Sequence, residues 1–249
     1  MGKADIHLHS EHSDGLASVE QVLEHVENNT DLDLIAITDH DMFDGVDVAR
    51  NLIAKRHYRF ELITGMEVTT LEGHLLALGI ERPIKSLQRL DHSIAQIHAQ
   101  GGVAIIPHPM SWLIRSVGQR GILRIQNDPS PEIYFDGIEA LNPSIAGQVT
   151  VAKTKRLNRE LFRLPETGGS DSHTLSMIGT GITLFNGTSA QDFIDSLRAG
   201  QTTADGHFWT RQEVRELIQI APRQSYRALV KLPTKHLRRA LSRSNEFIR

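Results

Sequence analysis

Histidines and acidic residues occur in this chain at spacings that suit metal binding. His7 and His9 are separated by one residue, and Asp171 and His173 repeat that spacing far along the chain. Because side chains two apart on a strand point to the same face, His7 and His9 can chelate one ion, and the second pair can complete the same cluster. The chain contains no cysteine, so any metal must be held by imidazole and carboxylate groups, which suit Zn, Mn or Fe.

Further histidines and acids follow other short apolar runs. These candidate positions are Asp39 with His40, Glu67, His108 and Asn142. An apolar segment rarely carries imidazole or carboxylate at an inward position without a partner. We therefore expect His40, Glu67 and His108 to be metal ligands.

Four other assignments each have a plain structural alternative. Asp14 lies in a Ser-Asp-Gly sequence, which is also an ordinary turn, and His74 could simply occupy the face of a hairpin. Asp39 either orients a neighbouring imidazole or caps the turn that follows it. Asn142 either contacts substrate or opens a turn, because Asn-Pro is a common turn sequence. We predict metal binding for Asp14 and His74 and substrate contact for Asn142, and the role of Asp39 stays open.

Hydrophobic periodicity predicts strands that alternate with helices. The predicted strands span residues 4–9, 32–38, 60–68, 74–80, 103–107, 137–141, 165–169 and 181–185, with 74–80 as a hairpin return. The predicted helices span residues 18–28, 86–100, 148–162 and 189–198, with a further one after Gly45. This order predicts an α/β fold with a parallel sheet, open or closed. Residues 111–132 show no readable pattern.

The predicted strands would bring the candidate ligands together. Most candidates lie at or just beyond the C-terminal end of a predicted strand. In a parallel barrel these ends meet at one mouth, where barrel enzymes carry out their chemistry. We therefore expect a single metal cluster rather than isolated polar residues.

The composition is that of a globular protein in which charge is unevenly distributed. The chain has 249 residues, 39% of them hydrophobic, and a formal net charge of -3, which predicts no general attraction to nucleic acid. From Arg211 onward, however, ten Lys or Arg stand against three Glu. We expect residues 1–208 to form the barrel and residues 209–249 a basic helical extension. The extension would pack on the barrel or dock to a membrane surface, RNA or a protein partner.

The sequence shows no pattern that would direct the chain into a membrane. No apolar stretch approaches the roughly 18 residues needed to cross a bilayer. The first residues lack the apolar run of a secretory signal. We therefore expect a cytoplasmic protein, and the oligomeric state is not predicted.

Six short motifs together resemble the ordered motifs of the PHP family, named for polymerase and histidinol phosphatase. They are His7-Leu8-His9-Ser10, Ser13-Asp14-Gly15, Thr38-Asp39-His40, Gly65-Met66-Glu67, Pro107-His108-Pro109 and Gly169-Ser170-Asp171-Ser172-His173. The similarity runs through about the first 200 residues in the family's order. It implies a distorted seven-stranded (β/α) barrel, similar to a TIM barrel, with a trinuclear metal centre.

The resemblance also implies how ligands are shared among two to three ions of Zn, Mn or Fe. The implied sets are His7, His9, Glu67 and Asp171 for one ion, Glu67, His108 and His74 for a second, and Asp14, His40 and His173 for a third. Two positions depart from the family pattern. Many members have His where Asp14 stands, and His74 follows Glu67 at a short spacing.

Such a centre would hydrolyse phosphate esters. Ions bridged by Glu67 can lower the pKa of a shared water from about 16 towards 7 and supply a hydroxide nucleophile, so Glu67 is a predicted catalytic residue. A metal-bound water, His12 or His207 could donate a proton to the leaving group. Arg115 and Arg120 could clamp phosphate through bidentate contacts. The remaining histidines are expected at the surface, and they are His25, His57, His92, His98 and His236.

Three functions are compatible with this sequence. The favoured one is hydrolysis of a small phosphorylated metabolite or nucleotide. The first alternative is an exonuclease or other phosphodiesterase acting on nucleic acid ends, with the basic extension holding the polymer. The second is a non-enzymatic interaction module stiffened by metal. Activity that weakens steeply with salt would favour a polymer substrate, and bound metal without turnover would favour the module.

Overall fold

A computed structural model describes residues 1–226 of the chain. The last element in this range is a helix over Arg211–Tyr226, which begins the predicted basic extension. Residues 227–249, which carry the rest of that extension, lie outside the described residues. No helix within residues 1–226 is long and apolar enough to cross a membrane.

The described chain alternates strands with helices. The strands are β1 (Gly2–Leu8), β2 (Leu34–Ile37), β3 (Glu61–Leu62), β4 (Gly65–Thr69), β5 (His74–Leu78), β6 (Val103–Ile106), β7 (Gly137–Leu141), β8 (Glu166–Gly168), β9 (Gly181–Phe185) and β10 (Thr203–Gly206). The helices are α1 (Val19–Asn29), α2 (Asp44–Ile53), α3 (Leu90–His98), α4 (Gln119–Gln126), α5 (Ile145–Gln148), α6 (Val151–Leu157), α7 (Ala190–Arg198) and α8 (Arg211–Tyr226). The predicted α/β class is confirmed.

The strands form two five-stranded sheets with the orders β10-β9-β1-β2-β3 and β4-β5-β6-β7-β8. Both sheets are mixed. The pairs β1–β2, β2–β3, β6–β7 and β7–β8 are parallel, whereas β9 runs antiparallel to β1 and β10, and β5 runs antiparallel to β4 and β6. The parallel sheet expected from the sequence is therefore confirmed only in part. The predicted hairpin return at β5 is present, whereas the antiparallel pairing of β9 with β1 and β10 was not predicted.

Single bridges join the two sheets at the C-terminal ends of their strands. One pairs His40 with Glu67 and the other pairs Leu8 with Ser172, both in parallel orientation. The strand ladders of residues 1–226 thus form two sheets connected at two points. The closed seven-stranded barrel implied by the family resemblance stays a prediction.

Alternation along β1 explains how a buried strand can present polar groups. Ile6 and Leu8 pack into apolar clusters of the core. Asp5, His7 and the following His9 face the other way and are also buried. Because side chains alternate along a strand, one face of β1 packs into the apolar core while the other presents the acidic and imidazole side chains.

Three element boundaries differ from the predictions for physical reasons. Residues 60–68 form two strands rather than one, because β3 pairs with β2 whereas β4 pairs with β5. Helix α3 begins at Leu90 rather than residue 86, since Leu87 has a φ of 56° and cannot be helical. Helix α4 occupies part of the segment that showed no pattern.

Candidate metal centre

The carboxylate of Glu67 lies at the middle of a group of buried or half-buried imidazoles. Its Oε2 is 3.2 Å from His7 Nε2, 3.3 Å from His9 Nε2 and 3.2 Å from His40 Nδ1. Its Oε1 is 2.9 Å from both His74 Nδ1 and His108 Nε2. Glu67 itself is completely buried. One carboxylate therefore contacts five of the predicted ligands, including His74.

Two further carboxylates border the same group of imidazoles. Asp171 Oδ1 is 3.4 Å from His9 Nε2 and 3.6 Å from His7 Nε2. Asp14 Oδ2 is 3.2 Å from His173 Nε2, and its Oδ1 is 3.7 Å from His9 Nδ1. The structure therefore brings together all nine predicted ligands from both ends of the chain.

Potential ligand atoms fall into four overlapping groups in the described residues. The groups are His9, Asp14, His40 and His173; His7, His108 and Asp171; His7, His9 and Glu67; and His40, Glu67 and His74, and the donor atoms within each group lie within 4.8 Å of one another. Overlap of this kind allows neighbouring ions to share ligands, as expected for a cluster.

Unusual backbone angles occur where the chain turns through this centre. His108 has a φ of 30° and Asp171 a φ of 54°, and Asp41, just after His40, has a φ of 52°. Residues other than glycine rarely adopt positive φ, and such strain tends to occur at functional sites. The backbone bonds His9 N to Ser172 O and Ser172 N to His7 O, 2.8 and 3.2 Å long, hold the Asp171 turn against β1.

The buried donor atoms fit divalent ions. Both ring nitrogens of His9 and Nδ1 of His74 are buried, and although carboxylate oxygens lie near them, they make no hydrogen bond of good geometry among the described residues. Burying a polar atom without a partner is costly. An ion coordinated by these nitrogens would satisfy them, and imidazole with carboxylate is a donor set that suits Zn, Mn or Fe.

Electrostatics keeps the carboxylates of the centre ionised. Burial raises the pKa of Glu67, but imidazoles led by His40 and His74 outweigh it and hold that pKa well below its usual range. Burial likewise raises the pKa of Asp14, and His173 together with His40 lowers it below its usual range. Negative charge is therefore concentrated where cations would bind.

In the protein without ions, His7 and His9 balance part of this charge by holding protons. Burial lowers the pKa of His7, but Glu139, Asp171 and Glu67 raise it well above its ordinary value. Burial also lowers the pKa of His9, while Asp171 and Glu67 raise it to about 10. Metal binding requires neutral imidazole, so divalent ions would displace these protons and take over their charge.

Glu139 contacts predicted ligands, and the sequence interpretation did not single it out. It is buried on β7, and its Oε1 is 2.8 Å from His7 Nδ1. Its Oε2 accepts from His108 N at 2.7 Å and from Asn142 Nδ2 at 2.9 Å. A Cβ at Gly169 would lie 2.5 Å from Glu139 Oε1, so only glycine leaves room there. A carboxylate on the second nitrogen of a ligand imidazole fixes its tautomer and orientation.

Asn142 and Asp39 support the centre through hydrogen bonds. Besides Glu139, the Asn142 amide reaches Asp171 Oδ2 at 3.4 Å, so it is directed at carboxylates of the centre. Asp39 accepts from the backbone and hydroxyl of Ser10 at 2.8 and 2.6 Å, and from Ser13 Oγ. Asp39 thus holds the loop that carries Asp14 and does not orient an imidazole through any of these bonds.

Asp5 holds the segment around Asp171 in place. Its carboxylate accepts from Ser170 N at 3.0 Å and from Gly179 N at 2.8 Å. Complete burial raises the pKa of Asp5 to about 6, although these hydrogen bonds oppose the rise. A charged residue in the middle of an apolar strand was the sequence signal for this role.

The predicted acid and phosphate-binding residues are not among the four groups of potential ligand atoms. His12 lies half-buried in the loop between β1 and α1. His207 is exposed, and its Nδ1 is 3.2 Å from Phe208 O. Arg115 Nη2 donates to Thr70 O at 2.9 Å, which places it beside the β4–β5 turn. Arg120 is exposed on α4, and no hydrogen bond or ion pair within residues 1–226 joins it to the centre.

One histidine excluded from the site is not a surface residue. His57 and His92 are exposed as expected, and His25 is half-buried, whereas His236 lies outside the described residues. The prediction for His98 is wrong, because its side chain is only 10% exposed. His98 Nε2 is 2.9 Å from Asp136 Oδ2, and this bond draws the ring inwards.

Several known proteins are similar to this chain in sequence or in fold. An uncharacterized protein of Methanocaldococcus jannaschii is 27% identical over 151 residues, covering 56% of this chain and 81% of that protein. A 5′-3′ exoribonuclease of Haemophilus influenzae is 32% identical over 107 residues, covering 41% of this chain and 38% of that protein. A two-domain protein from Bacteroides vulgatus, containing a predicted PHP-like metal-dependent phosphoesterase, has a similar structure, with a TM-score of 0.65 and 21% identity over 82% of this chain and 64% of that one. The chain thus spans less than two thirds of the last two proteins.

Family models describe most of the chain. A model described as PHP domain matches residues 5–168, and one described as PHP-associated matches residues 156–202. The first match includes His7, Glu67 and His108, and the second includes Asp171, so the matched segments carry the ligands that meet in the structure. The chain belongs to the PHP family.

Proposed function

We propose that this protein hydrolyses phosphate esters with the help of divalent ions. The observation that carries the proposal is the buried Glu67 carboxylate in contact with five imidazoles. A fully buried carboxylate among histidines, with Asp14 and Asp171 alongside, is a costly arrangement that suits multinuclear metal binding. Family membership agrees with a hydrolytic role.

Three sets of residues would hold the ions. The sets we propose are His7, His9, Glu67 and Asp171; Glu67, His74 and His108; and Asp14, His40 and His173. With three ligand sets, two of which share Glu67, two to three ions are expected. Zn, Mn or Fe suit these sets because the donors are nitrogen and oxygen without sulfur. When bound, such ions supply a nucleophile from water at neutral pH and neutralise phosphoryl charge.

The chain's own residues orient this centre and hold the substrate. Glu139 fixes the ring of His7, and Asp5 and Asn142 keep Asp171 in place. Arg115, exposed at the edge of the centre, is positioned to bind phosphate oxygens through its guanidinium. A proton for the leaving oxygen would come from His12, from His207 or from water at the centre.

A small ester, such as a phosphorylated metabolite or nucleotide, is the proposed substrate. The exoribonuclease relative favours a second candidate, the end of a nucleic acid strand. Because polymer binding releases counterions, hydrolysis of an oligonucleotide should weaken steeply as salt rises, whereas hydrolysis of a small ester should not. Bound metal without turnover of either would leave a metal-stiffened interaction module.

The same proposal extends to the barrel and the domains. The bridges His40–Glu67 and Leu8–Ser172 support a distorted ring of seven strands, β1, β2 and β4 to β8, around the centre. We propose that residues 1–208 form this barrel and that residues 209–249 are an extension added to it.

Replacing Glu67 tests the proposed function. Glu67→Gln, which keeps the size of the side chain, and Glu67→Ala should each lower hydrolysis of a phosphate ester panel with Mn²⁺ by more than about 100-fold, beyond the loss typical of outer-shell partners. Elemental analysis should find two to three equivalents of metal in the parent and fewer in both variants. Glu160→Gln, an exposed glutamate, is the matched control. If folded Glu67→Gln hydrolysed the panel as fast as the parent, the proposal would be wrong.

A further inference from the structure

Residues 109–116, here called the rim loop, connect β6 to α4 at the edge of the metal centre. The loop is closed at its base. His108 Nδ1 is 3.0 Å from Ser116 Oγ, and Met110 N donates to Val117 O at 3.1 Å. The two ends of the loop are therefore held together beside a proposed metal ligand.

The rim loop also packs against the turn between β4 and β5. Arg115 Nη2 donates to Thr70 O at 2.9 Å and approaches Leu71 O at 3.4 Å. A Cβ at Gly73 would lie 2.4 Å from the backbone of Ser116, so the two segments touch. His74 follows Gly73 directly in the chain, and His108 precedes the rim loop. The loop is therefore adjacent to two histidines that contact the same oxygen of Glu67.

The tip of this anchored loop is apolar and exposed. Trp112 is 76% exposed, and Leu113 and Ile114 are 43% and 39% exposed. Positive φ angles of 30° at His108 and 60° at Met110 turn the chain sharply at the start of the loop. A large exposed indole on a strained, anchored loop is typical of a binding surface rather than of a core.

Trp112 lies a short distance along the chain from His108, a residue of the centre. It follows His108 by four residues, so their Cα atoms lie within about 15 Å of each other. A bond of 3.4 Å from Ser111 N to His108 O shortens that path. An ester whose phosphate lies at the ions would extend its remaining part towards the rim loop.

The charge around the rim loop fits an anionic ligand. Residues 108–126 contain three arginines and no Asp or Glu. One of them, Arg124, is paired with Glu72 and Asp91, while Arg115 and Arg120 are exposed. The surface thus combines a flat aromatic group with positive charge, which is the combination that binds nucleotides.

We propose that Trp112 stacks on the base of the substrate and that the esters hydrolysed here are nucleotides. The nucleotide is either free or the terminal unit of an oligonucleotide, since both present the same base and phosphate. Stacking on an aromatic ring tolerates every base, because each has a π face. This inference rests on the proposed phosphoesterase function and assigns its substrate class.

The test compares an ester that has a base with one that lacks it. Trp112→Ala should lower kcat/KM for adenosine 5′-monophosphate by about 5- to 100-fold, the range found when a stacking aromatic is removed. The loss for ribose 5-phosphate should be much smaller. Trp112→Phe should keep most of the activity on the nucleotide. Leu161→Ala, which removes an exposed apolar side chain outside the rim loop, should change neither.

Several outcomes would overturn the stacking role while leaving the proposed function standing. An equal loss on both esters would do so, as would no loss on either adenosine 5′-monophosphate or a 5′-phosphorylated dinucleotide, provided that hydrolysis of ribose 5-phosphate still depends on Glu67. The 5′-phosphorylated dinucleotide, assayed at low and high salt, distinguishes a free nucleotide from the terminal unit of an oligonucleotide as the substrate. A Trp112-dependent loss only on the dinucleotide, with steep salt dependence, would assign the strand end.

Fluorescence gives a readout that does not need turnover. The chain has two tryptophans, and Trp209 is buried, so ligand quenching should report mainly on Trp112. Adenosine 5′-monophosphate should quench the emission of the parent and leave that of Trp112→Phe almost unchanged, while ribose 5-phosphate should quench neither. If neither these esters nor the rest of the phosphate ester panel were hydrolysed, the proposed function would fail, and absence of quenching would overturn stacking separately.

Discussion

Glu139 influences the metal centre although it stands outside the groups with metal-ligand spacing. One of its oxygens contacts His7 Nδ1, and the other accepts from His108 N and from the Asn142 amide. All three partners present a donor, so both oxygens of Glu139 must act as acceptors. With its proton on Nδ1, His7 would direct the lone pair of Nε2 at the proposed ions.

Glu139→Gln should therefore weaken metal binding without unfolding the protein. A glutamine keeps the shape of glutamate but replaces one acceptor oxygen by an NH₂ group, which opposes one of the donors. We expect the affinity for Mn²⁺ to fall by about 10- to 100-fold, as measured by titration calorimetry on protein stripped of metal.

An exposed glutamate provides the control for this substitution. Glu160→Gln, in the helical segment Asn158–Phe162 before β8, should leave the affinity for Mn²⁺ unchanged. Unfolding of the metal-free proteins in urea separates positioning from general stability. An unchanged affinity in Glu139→Gln would contradict the positioning role, whatever the stability.

Single residues were predictable where their type was costly for their surroundings. His7, Glu67 and His108 interrupt apolar runs, and a buried ionisable group needs a partner. Glu139 carried the same signal in the strand Gly-Ile-Glu-Ala-Leu. Its position inside the strand, rather than at the C-terminal end where the other candidates lie, set it apart from the pattern of the predicted ligands. The role of Asn142 depends on contacts across strands, which no local pattern reveals.

Helix α3 is tied to the second sheet through His98. Its Nε2 is 2.9 Å from Asp136 Oδ2, and the same oxygen accepts from Ala104 N of β6 at 2.7 Å. Burial lowers the pKa of His98, but Asp136 and the carbonyl of Glu132 raise it above its ordinary value. Protonation of His98 therefore strengthens the attachment of helix α3 to the second sheet.

The stabilisation from this pair should be lost as the pH rises. The folded-state pKa of His98 lies above the unfolded value of about 6.5. Protonated His98 thus stabilises the fold fully below that pH, and the contribution declines as the pH rises through the folded-state pKa. His98→Gln should lower the free energy of unfolding by about 1.5–3 kcal/mol near pH 6, and by less near pH 9, in urea titrations.

The exposed His92, on the same helix, is the matched control. His92→Gln should leave the free energy of unfolding unchanged at both pH values. A deficit for His98→Gln that stayed constant or grew between pH 6 and pH 9 would contradict a charged pair.

Elements were predictable where one periodicity dominated. The strands over residues 137–141 and 181–185 match β7 and β9, because each is a short apolar run with clear ends. Strand β10 was missed because Thr203–Gly206 is mostly exposed and has no apolar run. Helix α4 was missed because only Ile122 and Ile125 are fully buried on it, so its apolar stripe is short.

At the scale of the molecule, the centre connects distant parts of the chain. His7 and His9 come from β1, whereas Asp171 and His173 follow β8. Sequence analysis anticipated this meeting, since strand ends collect at one edge of a sheet. It did not anticipate that β9 returns antiparallel to β1, because the direction of a strand depends on distant pairing and leaves no mark on its own periodicity.

Metal binding should consequently stabilise the whole molecule rather than one loop. Ions bound only by the folded state add RT ln(1 + [L]/Kd), or about 2.7 kcal/mol at a concentration of 100 Kd. In a chain of this size about 1 kcal/mol raises Tm by roughly 2–4 °C. We therefore expect excess Mn²⁺ to raise Tm by about 5–10 °C over protein in EDTA, measured by calorimetry, with a single transition. Glu67→Gln should show a much smaller rise, because its central shared ligand is gone. An equal Tm with and without Mn²⁺ in the parent would mean that ligands from the two ends of the chain do not share ions.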